Sequence, residues 1–254
     1  DDGGTANGGA DLDPTANTIT LDVTSVNDAP AGADQTVSTL EDTDYTFTAA
    51  DFGFSDGNDS PANDLLAVTL STLPGAGTLT LSGSAVTLGQ SISRADLDAG
   101  LFKFTPGANA NGAAYASFTF QVQDDGGTAN GGADLDPTAN TLTVDVTSVN
   151  DAPVRTAGNV SSLTVQEDSG VTSLGLSSLA YSPGGDVDES GQSLVITITA
   201  VPSSVLGNIV LANGSTIVTS GTSYTLAELQ GMQFRTSPNS SGGPALFQWT
   251  VQDS

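Results

Sequence analysis

The side chains of this chain that could do chemistry are carboxylates and amides set in turns. Asn27-Asp28 and Asn150-Asp151 stand just before Pro30 and Pro153, and Glu41-Asp42 and Glu167-Asp168 follow 11 and 14 residues after those prolines. Asp56-Gly57-Asn58-Asp59 and Asp186-Val187-Asp188-Glu189 come after the first strand-like runs, and Asp124-Asp125 and Asp253 close later ones. Calcium takes six to eight oxygen ligands, and alternating Asp and Asn in a turn can aim several oxygens at one centre. The chain has no Cys and no His, so zinc, copper and iron–sulfur chemistry lack their usual ligands. Any one of these pairs also reads as a solvated turn, because Asp and Asn are good turn formers. The recurrence at each junction favours calcium over solvated turns: 29 acidic residues face only 4 basic ones.

The elements that must position these groups are short strands. Thr18–Thr24 (TITLDVT), its copy Thr141–Thr147, Ser117–Gln123 and Phe247–Gln252 alternate apolar and polar residues. Shorter runs sit at Tyr45–Thr48, Leu66–Leu70, Thr78–Leu81, Phe102–Phe104, Val195–Thr199 and Ile209–Leu211. Period-two alternation rich in Thr, Val, Ile and Phe, broken by Gly/Asn/Asp/Ser turns, predicts strands with one buried face. About seven such strands in about 100 residues predicts an all-β fold of sandwiches. Ser93–Gly100 and Thr225–Gly231 interrupt the pattern; each opens on a capping hydroxyl and ends in Gly, which predicts one helical turn. Phe118, Phe120, Phe247 and Trp249 lie within strand alternation and are expected in a core or on a sheet face.

One stretch occurs twice. Residues 1–30 and 124–153 agree at 28 of 30 positions, differing only by Ile19 against Leu142 and Leu21 against Val144. The offset of 123 residues is the size of a domain, so the chain reads as a window on a tandem array. Residues 1–30 form the C-terminal strand segment of one repeat, residues 31–153 a complete repeat, and residues 154–254 a repeat lacking its last strand. The net charge of −25 opposes binding to nucleic acid or direct contact with an anionic membrane, and it demands cations or salt. No apolar run reaches the length of about 18 residues needed to span a bilayer.

The motif VNDAP, at Val26–Pro30 and Val149–Pro153, resembles the linker of bacterial cadherin-like tandem repeats found in giant calcium-dependent surface adhesins, including those of the RTX type. Ile92–Pro106 (ISRADLDAGLFKFTP) and Ser117–Gly127 (SFTFQVQDDGG) are similar to the same repeats and to those of chondroitin sulfate proteoglycan cores. The resemblance implies tandem cadherin-like or Ig-like Greek-key β-sandwiches with calcium held between successive domains. Carried over by position, Asn27, Asp28, Asp56, Asn58 and Asp124 would serve the junction near Pro30. Glu41, Asn150, Asp151, Asp186, Asp188 and Asp253 would serve the junction near Pro153. By the same resemblance, Asp96 or Asp98 would match a mid-domain acidic pair. Cadherin linkers carry an Asp two residues before the Asn; Ser25 and Ser148 stand there, which implies one or two ions per junction rather than three. Asp134-Leu135-Asp136 and Asp11-Leu12-Asp13 are candidates for a separate loop site or a solvated loop.

The functional expectation is a non-enzymatic extender of an extracellular, cell-surface adhesin or filament, stiffened by calcium, with further copies of itself or neighbouring repeats as partners. One alternative is a filament subunit in which residues 1–30 complete the 154–254 repeat of the next copy. Another is a carbohydrate-binding module. Paired carboxylates can hydrolyse glycosides, but these sit in repeated turns without His or an aromatic cleft.

Overall fold

The computed structural model describes residues 1–185 and 188–253. Alternation becomes strand across residues 31–153. One sheet has the order β1-β9-β8-β3-β6, built from β1 (Gln35–Leu40), β3 (Leu65–Leu70), β6 (Ser91–Ser93), β8 (Gly112–Asp124) and β9 (Asn140–Thr147). A second has the order β2-β7-β4-β5, from β2 (Tyr45–Thr46), β4 (Thr78–Leu81), β5 (Ser84–Ala85) and β7 (Phe102–Thr105). The two enclose a core of Phe47, Phe52, Phe102, Phe118 and Phe120, with Phe47 stacked on Phe102 at 4.8 Å between centroids and Phe52 edge-on to Phe120 at 4.9 Å. Sandwich cores of this kind draw most of their stability from such aromatic burial.

Strand β9 holds this unit together. It pairs antiparallel with β8, Phe118 opposite Leu142, and parallel with β1, Val37 opposite Val144. Its inward residues Leu142, Val144 and Val146 are buried. The helical turn expected after Ser93 is α1 (Arg94–Asp98), where the Ser93 hydroxyl accepts from the Asp96 N–H and the Asp96 carboxylate returns to the Ser93 N–H. Gly100 follows at φ +65°, the left-handed position that favours glycine after a helix.

Residues 154–253 repeat the plan with fewer strands. The sheet β15-β13-β17 is built from β13 (Val195–Ala200), β15 (Ser223–Tyr224) and β17 (Gln248–Gln252). The sheet β11-β16-β14 is built from β11 (Val171–Ser173), β14 (Gly207–Val210) and β16 (Gln233–Thr236), while β10 (Val154–Ala157) pairs with β12 (Ala180–Ser182). The second expected turn is α2 (Leu226–Gln230), capped by Thr225 and Glu228 as α1 is by Ser93 and Asp96. By pairing, β13 corresponds to β3, β17 to β8 and β15 to β6. A separate core holds Leu176, Leu179, Ile196, Ile198, Leu229 and Met232. Phe118 and Phe120 are buried as expected, whereas Phe247 and Trp249 are only half-buried. Both parts are β-sandwich in character, so the chain is all-β.

The structure corrects one expectation. Thr18–Thr24 is not a strand; Ile19, Leu21 and Val23 are 84%, 82% and 96% exposed, although their copies in β9 are buried. A strand exists only with a neighbour to accept its hydrogen bonds, and this copy has none among the described residues. The same residues thus differ in energetic weight. Leu142→Ala is expected to lower stability by about 2–5 kcal/mol, while Ile19→Ala in dilute solution leaves the denaturant midpoint unchanged; equilibrium unfolding of both variants checks this.

Candidate cation-binding junctions

At the first junction the linker lies on the carboxylate that ends β8. Asn27 donates through Nδ2 to both oxygens of Asp124, at 3.1 and 3.3 Å, and to the Ala133 carbonyl at 2.7 Å. Asn63 donates through Nδ2 to the Asn27 side-chain oxygen. The Asp28 N–H donates to Asp59 at 2.9 Å, and the Asn63 N–H donates to Asp56 Oδ2 at 2.5 Å. Asp124 is fully buried and Asp56 nearly so. The Gly126 N–H completes Asp124 at 2.9 Å, and a Cβ at Gly126 would stand 1.8 Å from the Asn27 oxygen. Only glycine lets the linker approach this closely.

The second junction repeats these bonds. Asn150 donates through Nδ2 to Asp253 at 3.3 Å, Gln192 donates to the Asn150 oxygen at 2.7 Å, and the Asp151 N–H donates to Glu189 at 2.6 Å. Asn150, Asp151, Glu189, Gln192 and Asp253 therefore stand where Asn27, Asp28, Asp59, Asn63 and Asp124 stand. From the other side, Glu41 reaches the same linker. It is buried, and it accepts from the Val149 N–H at 2.5 Å and from Asn111 Nδ2 at 2.9 Å.

The expected residues are thus partly brought together. Asn27, Asp56 and Asp124 meet at the first junction, as do Asn150, Asp151 and Asp253 at the second, with Glu41 beneath it. The Asp28 side chain is exposed and only its N–H is used; Asn58 and Asp188 are exposed. Asp186 lies outside the described residues. Sequence reasoning missed Asp59, Asn63, Glu189 and Gln192 as the partners of the linker. The signal was the acidic residue that ends each turn, Asp59 and Glu189.

Four buried side-chain oxygens accept no hydrogen bond among the described residues: Asp56 Oδ1, Glu189 Oε2, Gln192 Oε1 and Asp253 Oδ2. All four are acceptors, and three belong to the second junction. A buried acceptor left open costs about 1–3 kcal/mol, more when charged. A hard cation is the donor set's natural complement, since each atom is a carboxylate or amide oxygen. Among the described residues no group of three or more His, Cys, Asp or Glu side chains is gathered closely enough to hold a metal by itself. A bound ion would therefore draw on amide and backbone oxygens as well.

Other acidic candidates are committed elsewhere. Asp96 caps α1, and Asp98 pairs with Arg94 at 2.9 Å on the surface. Asp134 accepts from Gln123 at 3.0 Å. Asp136 is buried and accepts from the Gly32 N–H (2.8 Å), the Thr138 N–H and hydroxyl (each 2.9 Å) and Asn140 (2.7 Å). It staples the start of the central unit to the loop before β9. Asp13, its copy, makes only the local bonds, from the Thr15 N–H at 2.9 Å and Asn17 at 3.2 Å.

Residues 27–147 match the model of the Bacterial Ig domain family, a span just short of half the chain. That span is similar to a bacterial Ig-like repeat, in keeping with the sandwich described above. No curated protein matches the chain.

Burial pushes the Asp136 carboxyl up, but the bonds from Gly32, Thr138 and Asn140 outweigh it and hold the group below its ordinary 3.8. A carboxyl depressed by folding stabilises above its unfolded value, and that contribution drains away as pH falls from there through the folded value. Asp136→Asn is expected to cost about 2–3 kcal/mol at neutral pH. The gap from the parent should narrow below about pH 4; unfolding curves across pH check both.

Proposed function

We propose that this chain is a non-enzymatic spacer from an extracellular surface protein of bacterial Ig-like repeats, in which calcium at the linkers stiffens one repeat against the next. The observation that carries the reading is the recurrence of one junction at two places. The same linker Asn lies on the same strand-ending carboxylate, and the open buried oxygens concentrate where the second linker meets Glu189, Gln192 and Asp253. At that junction Asp253, Glu189, Gln192 and the Asn150–Asp151 linker would hold the ion. At the first, Asp56, Asp124 and Asn27 would.

The physical logic is neutralisation. With 29 carboxylates and 4 basic residues, the junctions bring like charges into a shared, poorly hydrated space. Bound cations supply the missing positive charge, and the free energy of binding becomes ordering free energy for the linker. The similarity of residues 27–147 to bacterial Ig domains supports a structural role at a bacterial surface. Among the described residues no helix is long and apolar enough to cross a membrane.

Calorimetric melting with and without excess calcium tests this. At a calcium concentration a hundred times the dissociation constant, the affected unit gains about 2.7 kcal/mol and its melting temperature rises accordingly. Asp253→Asn is expected to remove most of the rise for the C-terminal unit and leave that of the central unit. X-ray scattering profiles that coincide with and without chelator, together with unshifted melting, would refute the clamp.

A further inference from the structure

The second linker is also met by two loops of the central unit. Asp42 lies in the turn after β1, and Asn109 lies in the loop between β7 and β8. Both hold left-handed backbone, at φ +54° and +51°, which Asp and Asn tolerate better than most side chains. The Asn109 N–H donates to Asp42 Oδ1 at 2.9 Å and ties the two loops together. The C-terminal unit builds the same pair from a different local sequence. Asp168 and Asn239 stand at φ +59° and +52°, and the Asn239 N–H donates to Asp168 Oδ1 at 3.0 Å. In both units the backbone N–H makes the tie, which leaves the Asn109 side chain for a second task.

That side chain lies between two carboxylates, one on the central unit and one on the linker. One end of its amide stands 3.1 Å from Asp42 Oδ2 and 3.3 Å from Asp151 Oδ2. Only a donor is satisfied there, so Nδ2 faces the two acids and gives one hydrogen to each. The Asp151 N–H is taken by Glu189 Oε1 at 2.6 Å. Glu189 is buried, and its other oxygen has no donor among the described residues. Asp151 and Glu189 border one gap. A Cβ on Gly185 would stand 2.9 Å from Asp151 Oδ2 and 3.1 Å from the Glu189 carboxyl carbon, so glycine keeps that place open. Among the described residues no three acids, these included, are gathered closely enough to hold an ion by themselves. The Asn109 amide is the group left to complete them, because its oxygen and nitrogen ends have nearly the same shape.

We infer that Asn109 is a two-position switch at the second junction. Without a cation, its Nδ2 bridges Asp42 and Asp151 and holds the linker to the central unit against the repulsion of two carboxylates. With calcium bound between them, the amide turns over and its Oδ1 becomes a ligand beside Asp42, Asp151 and the open Glu189 oxygen. Oxygens that share one calcium ion at about 2.3–2.6 Å in neighbouring directions stand about 3–3.7 Å apart. The 3.1 and 3.3 Å separations at Asn109 fall in that range, so the change asks for the rotation of one amide and little else. The inference rests on the reading of the second linker as a calcium site. It adds ligands from the central unit and names the group that competes with the ion. The bridging bonds must be given up before the oxygen is offered, so the amide lowers calcium affinity. A carboxylate at position 109 has no such bonds to give up.

Calorimetric titration with calcium, paired with melting in calcium and in chelator, tests the inference on the whole 254-residue chain and three variants. Asn109→Asp keeps a residue that accepts left-handed backbone but replaces the bridge by a third carboxylate. It is expected to melt below the parent in chelator and to bind calcium about tenfold more tightly, so its calcium-induced rise exceeds the parent's. Asp42→Asn should lose about tenfold in calcium affinity, since a charged ligand becomes a neutral one. Amide exchange supplies a further readout: the Asn109 side-chain N–H pair of the parent is protected in chelator and loses that protection in calcium. An Asn109 with a structural role alone would make Asn109→Asp melt lower by the same amount with and without calcium, at unchanged affinity, and that result overturns the switch. Asp253→Asn separates this inference from the reading it rests on. If Asp253→Asn abolishes the calcium response while Asn109→Asp and Asp42→Asn bind as the parent does, the linker site stands and the switch falls. If neither the parent nor Asn109→Asp takes up calcium, both fall.

Discussion

The structure depends on how carboxylates are buried in a chain with almost no positive charge to meet them. A buried carboxylate needs a partner of opposite charge or several hydrogen-bond donors. With four basic residues available, this chain uses donors. Backbone N–H groups and Asn side chains take the role that Lys and Arg play in most proteins. Asp136 is met by Gly32, Thr138 and Asn140, Asp124 by Asn27 and Gly126, and Glu41 by Val149 and Asn111. Because many of these donors belong to linkers or to segments next to them, satisfying the acids also fixes where each linker lies. Charge and domain geometry are one problem here, solved by the same bonds.

That solution explains what could be read from the sequence. Strand alternation identified most of the sheet, and the two capped turns were legible from Ser93 and Thr225, because these signals are local. β1 was not legible. Its residues, QTVSTL, alternate weakly, and it becomes a strand because β9 arrives beside it from more than a hundred residues away. The candidate site was legible as a neighbourhood but less so as a set of atoms. In DGND and DVDE, sequence favoured the first and third positions, whereas the fold turns the fourth, Asp59 and Glu189, toward the linker amide. Which oxygen in a turn faces inward is decided by the turn's placement against a neighbouring segment. Asp136, expected either in a separate loop site or in a solvated loop, is instead buried, and the sequence hid this for the same reason, since one of its donors is the Gly32 N–H, distant in sequence.

The near-duplicate segments carry this point further. Residues 17–24 and 140–147 have almost the same side chains and opposite fates, one exposed and extended, the other buried at the centre of a sheet. Intrinsic preference is therefore held nearly constant between them, and the difference is context. A strand has half its hydrogen-bonding groups on each edge, so it gains most when both edges are paired. β9 has β8 on one edge and β1 on the other. Its effect extends to its neighbours: the counterparts of β1 and of the first half of β8 in the C-terminal unit are not strands at all.

The junction and the strand that seals the sandwich are consequently linked. In the central unit, β9 leads directly into the linker, so the chain that seals the sandwich is the chain whose Val149 N–H meets Glu41 and whose Asn150 meets Asp253. Sealing one unit and aligning the next are consecutive acts of ten residues. Among the described residues the buried oxygens left without a donor lie at these linkers too, on Glu189, Gln192 and Asp253 at the second and on Asp56 at the first, so the bonds that place each linker leave part of its acid set open.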